Sequence, residues 1–185
     1  MQYPGQRVQI DVKYVPSSCL TGAAEAEAAE TGGFFQYTFI DEYSCFRYLE
    51  SFKEHNTYSS SECIKHCVRT FPYTIECVQT DNGFEFTNRL NAQCSNKETL
   101  FERTLRELRI RHKLIKPYTP RRNGKVERSH RKDNEYFYAT HKFYSFNDFQ
   151  KQLSVWNRKY NNFPMRPLNW HSPRDILFSF HDCKV

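Results

Sequence analysis

Val8–Val15 reads VQIDVKYV, and apolar side chains alternate with polar ones along it. This alternation is typical of a β-strand that buries one face, so we predict a strand over residues 7–15. Asp11 lies inside that strand, although aspartate is depleted in strand interiors. A carboxylate at this position therefore indicates a role other than building a sheet.

Two further segments place an acid where the backbone should be well fixed. Asp81 follows the apolar strand predicted over Ile75–Val78, and an Asn82-Gly83 turn comes directly after it. Glu127 stands just after Asn123-Gly124, near the start of a predicted helix. Two aspartates on strands and one glutamate on a helix can converge on one point. Ligands that offer only oxygen suit Mg²⁺ or Mn²⁺, and a pair of such ions is the usual device for in-line displacement at phosphorus.

These segments resemble the DDE catalytic core of retroviral integrases and bacterial insertion-sequence transposases. The likeness rests on Ile10-Asp11, on TDNGFEF at Thr80–Phe86 and on P-x-x-NGKVER at Pro120–Arg128. It continues in a tail, Tyr160–Leu177, that contains YN, RP and SPRDIL. The resemblance implies an α/β, ribonuclease H-like fold with a mixed five-stranded sheet and flanking helices.

The same resemblance implies the chemistry, a divalent-metal-dependent DNA strand cleavage and strand transfer by in-line phosphoryl transfer. A metal-dependent polynucleotidyl transferase of this kind would hold two Mg²⁺ (or Mn²⁺) ions per active site. Asp11 would bridge both ions, Asp81 would complete one ion site and Glu127 the other. One ion would activate water or a 3′-hydroxyl, and the other would stabilise the leaving oxygen. The partners implied are DNA, as element ends and target duplex, and at least one further copy of the chain.

Each acid also has a simple structural explanation when it is taken alone. Asp11 could be a polar residue at a strand edge, Asp81 a turn residue, and Glu127 an acid favoured at a helix N-terminus. We expect Asp41 to cap a strand turn, and Glu85 to touch DNA or nothing. The order and setting of the three acids together favour the catalytic interpretation.

The spacing between the second and third acid departs from the resembled family. Asp81 and Glu127 are separated by 45 residues, whereas roughly 35 is typical of the family's motif. We assign the surplus to the polar stretch Asn91–Glu98 and expect a loop there, because loop insertions cost little free energy. If the surplus instead displaced the helix that carries Glu127, activity would be lost.

The positive charge of the chain is concentrated around Glu127. Residues 101–142 contain 13 Lys/Arg and 5 Asp/Glu, a net +8, while the remainder of the chain has a net −2. This indicates a polyanionic partner, bound through salt-dependent phosphate contacts. Arg131, four residues after Glu127 and so on the same helix face, is the residue to which we carry the family's contact with the DNA end. The remaining candidates for DNA contact are Arg121, Arg122, Lys125, Arg128 and Lys132, with Asn123 and Tyr118 as weaker ones.

The predicted elements form one integrase catalytic core domain over residues 1–185. We predict strands at 7–15, 34–40, 46–52, 75–78 and 111–115, and helices at 57–70, 97–108, 124–139 and 146–160. Thr57 or Ser59 is expected to cap the first of these helices. Residues 21–33 are expected to be a mobile loop insertion or a short helix, and 161–185 a C-terminal tail.

Cysteine and tryptophan residues indicate packing rather than chemistry. The seven cysteines form no compact framework, so we expect reduced thiols. Cys63, His66 and Cys67 fall within one helix and lack a second ligand pair, which favours buried cysteines over a zinc site. Trp156 and Trp170 are expected in packed positions.

The chain contains no apolar run long enough to span a membrane and no signal peptide, which predicts a cytoplasmic, nucleoid-associated bacterial protein. It begins ten residues before Asp11 without a module that could recognise element ends. We therefore expect an excised core or a truncated gene product. Two alternatives remain open, a non-catalytic DNA-binding or assembly fragment of a decayed transposase, and a ribonuclease H-like nuclease that does not join ends.

Overall fold

Five strands form one mixed sheet in a computed structural model that describes residues 1–116 and 123–182. The order across the sheet is β3-β2-β1-β4-β5. β1, β2 and β3 form an antiparallel meander, while β4 and β5 run parallel to β1. This confirms the predicted mixed five-stranded sheet. The strands are β1 (Val8–Tyr14), β2 (Phe35–Asp41), β3 (Arg47–Phe52), β4 (Cys77–Thr80) and β5 (Arg111–Leu114).

Six α-helices flank the sheet within the described ranges. None of them is long and apolar enough to cross a membrane. A single π-helical turn, Asn134–Tyr138, continues the fourth helix. The helices are α1 (Ala23–Thr31), α2 (Thr57–Thr70), α3 (Leu100–Glu107), α4 (Gly124–Asp133), α5 (Phe146–Asn161) and α6 (Pro173–Asp182).

The two faces of the sheet carry separate cores because strand residues alternate between them. On one face, Ile10 and Phe39 pack with α2 and α3, through side chains such as Ile64 and Phe101. On the other face a second cluster joins α1, α5 and the π-helical turn. The part of that second face beneath α4 is polar, and its fully buried side chains include Gln36, Thr38 and Arg47.

Several predicted boundaries differ from the structure. β4 begins at Cys77 and runs to Thr80, two residues later than predicted. α2 has the predicted span, but its N-cap is Asn56, whose Oδ1 accepts from the Ser59 N–H at 2.9 Å. The predicted helix over 124–139 is α-helical only to Asp133 before the π-helical turn.

Two further segments contain helices, and the first of these helices was one of the two predicted alternatives. Residues 21–33, predicted as a mobile loop or a short helix, form α1, which buries Ala24 and Ala28. The predicted tail contains α6, which begins with reciprocal capping contacts. The Asp175 N–H donates to Ser172 Oγ at 3.1 Å, and the Ser172 N–H donates to Asp175 Oδ2 at 3.0 Å. Ser-Pro-x-Asp is a helix-start signature, so α6 could have been predicted from sequence.

The polar stretch to which the surplus between Asp81 and Glu127 was assigned lies in the loop before α3. Residues 91–98 form turns, and α3 then starts at a capping box made by Thr99 and Glu102. β5 pairs with β4 in regular parallel register after α3. The loop predicted over Asn91–Glu98 is therefore confirmed, while its assignment as the site of the surplus stays a prediction.

Candidate active site

Asp11 and Asp81 come level with each other through the register of two neighbouring parallel strands. Val8 pairs with Val78 and Gln9 with Gln79, an offset of 70 residues. If the same register continues for two residues beyond this pair, Asp11 lies opposite Asp81. Neighbouring parallel strands lie about 4.8 Å apart, and residues in register point to the same face. Both residues therefore lie at the carboxyl end of β4.

Three consecutive residues of β1 attach to α4, the helix that carries Glu127. Gln9 Oε1 accepts from the Lys125 and Val126 N–H groups, at 3.1 Å each, and so caps the start of the helix. The Asn123 side chain donates to the Ile10 carbonyl at 3.5 Å. One turn after Glu127, His130 Nδ1 lies 3.4 Å from Asp11 Oδ2. The α4 helix is thereby positioned against the Asp11 strand despite the insertion earlier in the chain.

His130 faces Asp11 as a neutral imidazole. Burial lowers its pKa to about 4, against the opposing effect of the Asp133 charge, and Lys13 and Arg47 lower it further. Its Nε2 lies 3.0 Å from Thr38 Oγ1. A Thr38 hydroxyl that donates to Nε2 leaves the ring proton on Nδ1, directed at Asp11. His130 was not predicted from sequence as a site residue. Its position three residues after Glu127 puts it on a neighbouring part of the helix surface, which could have indicated it.

Asp11 lies in a concentration of negative charge. Its pKa is raised from 3.8 to about 7, first by burial and then by the Asp81 charge. The charges of Glu85 and Glu127 raise the pKa further, while the Val12 N–H opposes them. We call Asp11, Asp81, Glu85 and Glu127 the carboxylate corner.

Glu85 is the member of this corner that sequence reasoning undervalued. It is 5% exposed, so it does not touch DNA from the surface as one reading of the sequence expected. Its carboxylate covers Gly83, where a Cβ would lie 2.5 Å from both oxygens. Glu85 Oε1 is 3.0 Å from His55 Nε2, but without hydrogen-bond geometry, and Oε2 has no described partner. Phe84 is exposed while Glu85 and Phe86 after it are buried. No local pattern in TDNGFEF indicated that Glu85 would be buried.

The donor atoms of the corner fit a hard divalent cation in chemistry and charge. Its protein ligands would be carboxylate oxygens, and a divalent cation would offset both the burial and the repulsion that raise the pKa of Asp11 to about 7. Glu127 is exposed on α4. Within residues 1–116 and 123–182, no three His, Cys, Asp or Glu side chains are close enough to share one ion. The charges of the corner thus act on Asp11, but its side chains are too far apart in this structure to share one ion.

The predicted DNA-contact residues separate into groups. Arg131 is exposed on α4, with Nε 4.0 Å from Glu135 Oε1. Asn123 is buried against β1, a correction to its predicted place in the handling of DNA. The other α4 cations lie on the opposite flank of the helix, and they are Lys125, Arg128 and Lys132. Three candidates, Tyr118, Arg121 and Arg122, lie outside the described residues.

Asp41 and the cysteines occupy the structural positions predicted for them. Asp41 Oδ2 accepts from the Ser44 N–H and hydroxyl, each at 2.7 Å, and so caps the turn after β2. Cys63 and Cys67 are buried thiols, and His66 Nδ1 lies 2.9 Å from Glu50 Oε1. All cysteines of the described ranges are free.

The two tryptophans have different outcomes. Trp156 stacks on Phe137 at a centroid distance of 5.7 Å, and its N–H donates to Asp133 at 2.6 Å. Trp170, predicted to be packed, is 70% exposed, so that prediction was wrong. The tail that carries it turns outward after the 3₁₀ helix Arg166–Leu168.

Comparison with known proteins identifies relatives along the whole chain. Two sequence models described as integrase core domain match, one over residues 2–120 and the other over residues 108–173. The protein named "Putative integrase ORF3" of Spiroplasma virus SpV1-C74 is 28% identical over 180 residues, which are 93% of this chain and 47% of that protein. The chain thus spans about half the length of that relative.

Solved structures agree on the fold. A chain of the simian T-cell lymphotropic virus intasome, solved in complex with PP2A regulatory subunit B56 gamma, aligns with a TM-score of 0.68 at 17% identity. The alignment covers 95% of the present chain and 55% of that one. The catalytic core domain of BIV integrase aligns with a TM-score of 0.63 at 18% identity over 97% and 98% of the two chains. These likenesses confirm the predicted ribonuclease H-like fold.

Proposed function

Because this chain belongs to the integrase core domain family, we propose that it cleaves DNA strands and joins them by metal-dependent, in-line phosphoryl transfer. The observation that carries the proposal is the carboxylate corner, where burial and then the charges of Asp81, Glu85 and Glu127 raise the pKa of Asp11 to about 7. Repulsion between acids does not stabilise a fold, whereas a cation bound among them would compensate it. The substrate proposed is duplex DNA, acted on by at least two copies of the chain.

Asp11, Asp81 and Glu127 would hold the cations, as oxygen ligands suited to Mg²⁺ or Mn²⁺. When bound, the cations lower the pKa of an attacking water or 3′-hydroxyl and neutralise charge at the leaving oxygen. His130 would hold the Asp11 carboxylate through its Nδ1, 3.4 Å away. Gly83 N–H, which donates to Asp81 Oδ1 at 3.0 Å, would hold the second carboxylate. Arg131 would contact a phosphate of the bound strand.

The test compares the chain with Asp81→Asn in a nicking and strand-transfer assay on an oligonucleotide duplex with Mg²⁺ or Mn²⁺. Glu107→Gln on α3 is a matched control, because it removes one exposed acid away from the corner. We expect activity from the parent and the control, and a loss of at least 100-fold in Asp81→Asn. Activity that survives Asp81→Asn would overturn the mechanism.

A second readout separates metal binding from turnover. Mn²⁺ should raise the melting temperature of the parent chain and of Glu107→Gln, since a ligand that binds only the folded state stabilises it. The increase should disappear in Asp81→Asn. An inactive parent chain that binds DNA but shows no response to Mn²⁺ would instead support the non-catalytic assembly fragment.

A further inference from the structure

A cleft with an unusual lining lies on the flank of α4 that faces away from Asp11. It lies between that helix and the segment Phe163–Trp170, has a volume of about 440 Å³, and is called here the α4–tail cleft. Its described lining contains no acidic residue. The lining combines cations with aromatic rings, namely Lys125, Arg128, Lys132, Tyr160, Phe163 and Trp170.

The cations of the cleft contact neutral atoms, while the charges of buried Asp133 and Asp41 interact with Lys132 and Lys125 from outside the lining. Lys132 Nζ lies 3.8 Å from Met165 Sδ and 5.6 Å from the centre of the Tyr160 ring. Lys125 Nζ contacts the Glu42 carbonyl and lies 3.3 Å from Cys45 Sγ. Among the ion pairs of the described residues, none involves Lys125, Arg128 or Lys132.

The buried charge next to the cleft belongs to an ion pair, Arg47 with Asp133, and both members act on Lys132. The pKa of Lys132 is lowered, first by burial and then by the charge of Arg47, with Arg128 acting in the same direction and Cys45 and Asp133 opposing them. Arg47 stacks beneath the Tyr160 ring at 3.7 Å. A pocket with several cations and no described acid is complementary to an anion such as a phosphate.

Trp170 is presented to solvent by a strained turn. Asn169 and Trp170 both have left-handed backbones, with φ of 52° and 64°. A left-handed backbone is strained for residues other than glycine, and strain of this kind persists only where the surroundings impose it. Here the Trp170 N–H donates to the Met165 carbonyl at 3.0 Å, and Met165 pairs with His171. The fold therefore holds a large aromatic face open to water, 70% exposed, beside a basic cleft.

We propose that the α4–tail cleft binds one unpaired nucleotide of a DNA strand, with its base on the Trp170 indole and its phosphate on Arg128 and Lys132. Cations alone would be enough to bind the phosphates of a duplex. An exposed aromatic ring adds a surface on which an unpaired base can stack. The volume is that of a small-ligand site. Identifying the polymer as DNA rests on the proposed function.

The position of α4 connects this cleft to the carboxylate corner. Glu127 and Arg128 are consecutive on the helix, and they point to its two flanks, toward the corner and toward the cleft. A helix with its side chains is about 10–12 Å across. A strand that leaves the corner therefore needs to cross only one helix to place an unpaired nucleotide in the cleft.

The test measures DNA binding by fluorescence anisotropy in EDTA, which separates binding from turnover. The probes are a blunt duplex, the same duplex with a five-nucleotide single-stranded overhang, and that overhang with abasic sites. We expect the parent chain to prefer the overhang with bases. Trp170→Ala should weaken binding to that probe about tenfold and leave the blunt and abasic probes within twofold. Trp170→Phe should keep most of the preference.

Two matched variants control for surface changes. Tyr144→Ala removes another exposed aromatic side chain, 66% exposed and outside the cleft lining, and should change nothing. Lys151→Gln removes an exposed cation on α5 and controls for Arg128→Gln, which should reduce the salt dependence of overhang binding by about one ion. Melting temperatures of all variants report on folding.

Several outcomes would overturn the proposal. These are no preference for the overhang in the parent chain, an equal loss on blunt and overhang probes in Trp170→Ala, or no loss at all. A Trp170→Ala variant that changes only the sedimentation of the protein would assign the cleft to contact between copies. Asp81→Asn should keep the overhang preference, so a failure of the catalytic proposal and a failure of the cleft are distinguishable.

Discussion

Arg47 on β3 and Asp133 at the end of α4 form an ion pair whose two side chains are completely buried, with Nη1 2.7 Å from Oδ1. The Trp156 indole and the Gln36 amide also donate to Asp133. Burial alone would raise the pKa of this carboxyl, but Arg47 and these donors outweigh it and lower the pKa. The pair fastens the end of α4 to the sheet, six residues after Glu127.

Breaking this pair should destabilise the protein strongly. Arg47→Met leaves a buried, uncompensated carboxylate, and we expect the free energy of unfolding in urea to fall by about 3–5 kcal/mol. The double variant Arg47→Met, Asp133→Asn should recover part of that loss, because the orphaned charge is gone. Lys65→Met, which breaks an exposed pair with Glu62, should cost less than about 1 kcal/mol. Equal costs for the two single variants would contradict the assignment.

The metal-free protein should lose stability as pH rises through neutrality because of Asp11. Its pKa is raised from 3.8 to about 7 on folding, so between these values the folded state retains a proton that the unfolded state has released. The contribution of Asp11 is therefore complete below pH 3.8 and lost as pH rises through about 7. The full shift corresponds to at most about 4 kcal/mol.

The measurement is a series of urea unfolding curves in EDTA from pH 4 to 8. Relative to Asp11→Asn, which cannot titrate at that position, the parent chain should become progressively less stable across this range. A stability difference between the two proteins that stays constant with pH would refute the predicted titration. Mn²⁺ should reverse the loss at pH 8.

Gly83 should be required because the Glu85 carboxylate lies over it. Gly83→Ala places a Cβ 2.5 Å from both Glu85 oxygens, so the side chain must move out of its buried position. We expect a cost of about 1–3 kcal/mol in the free energy of unfolding. In a Glu85→Ala background the same substitution should be nearly neutral. A double-mutant cycle measures this coupling, and additive effects would argue against the contact.

Asn56 should stabilise the start of α2, contrary to the caps expected from sequence. Asn56→Ala removes the acceptor for the Ser59 N–H and should cost about 1 kcal/mol. Asn56→Ser keeps a capping oxygen and should lose much less. Chemical denaturation provides the comparison, and equal losses in the two variants would indicate that capping is not the cause.

Local patterns predicted those elements whose residues carry their own signal. Alternation along VQIDVKYV predicted β1, and the span of α2 agreed with prediction, because burial on one face imposes a period on the sequence. The helix α6 had a signal at Ser172 and Asp175 that was not used. The predicted N-cap of α2 was wrong. The Thr57 hydroxyl accepts from the Phe101 N–H of α3, a contact between helices that the local sequence does not indicate.

Sequence by itself determined the fold class and the family, since these depend on short motifs and their order, and it predicted Asp11, Asp81 and Glu127 as the metal ligands. Only the tertiary structure decided where these acids lie relative to one another. The register of β1 with β4 brings Asp11 level with Asp81, and the Gln9 side chain caps α4 from 116 residues away. It also buried Glu85 and exposed Trp170. Such features depend on contacts between residues far apart in the chain, which no local pattern of residues encodes.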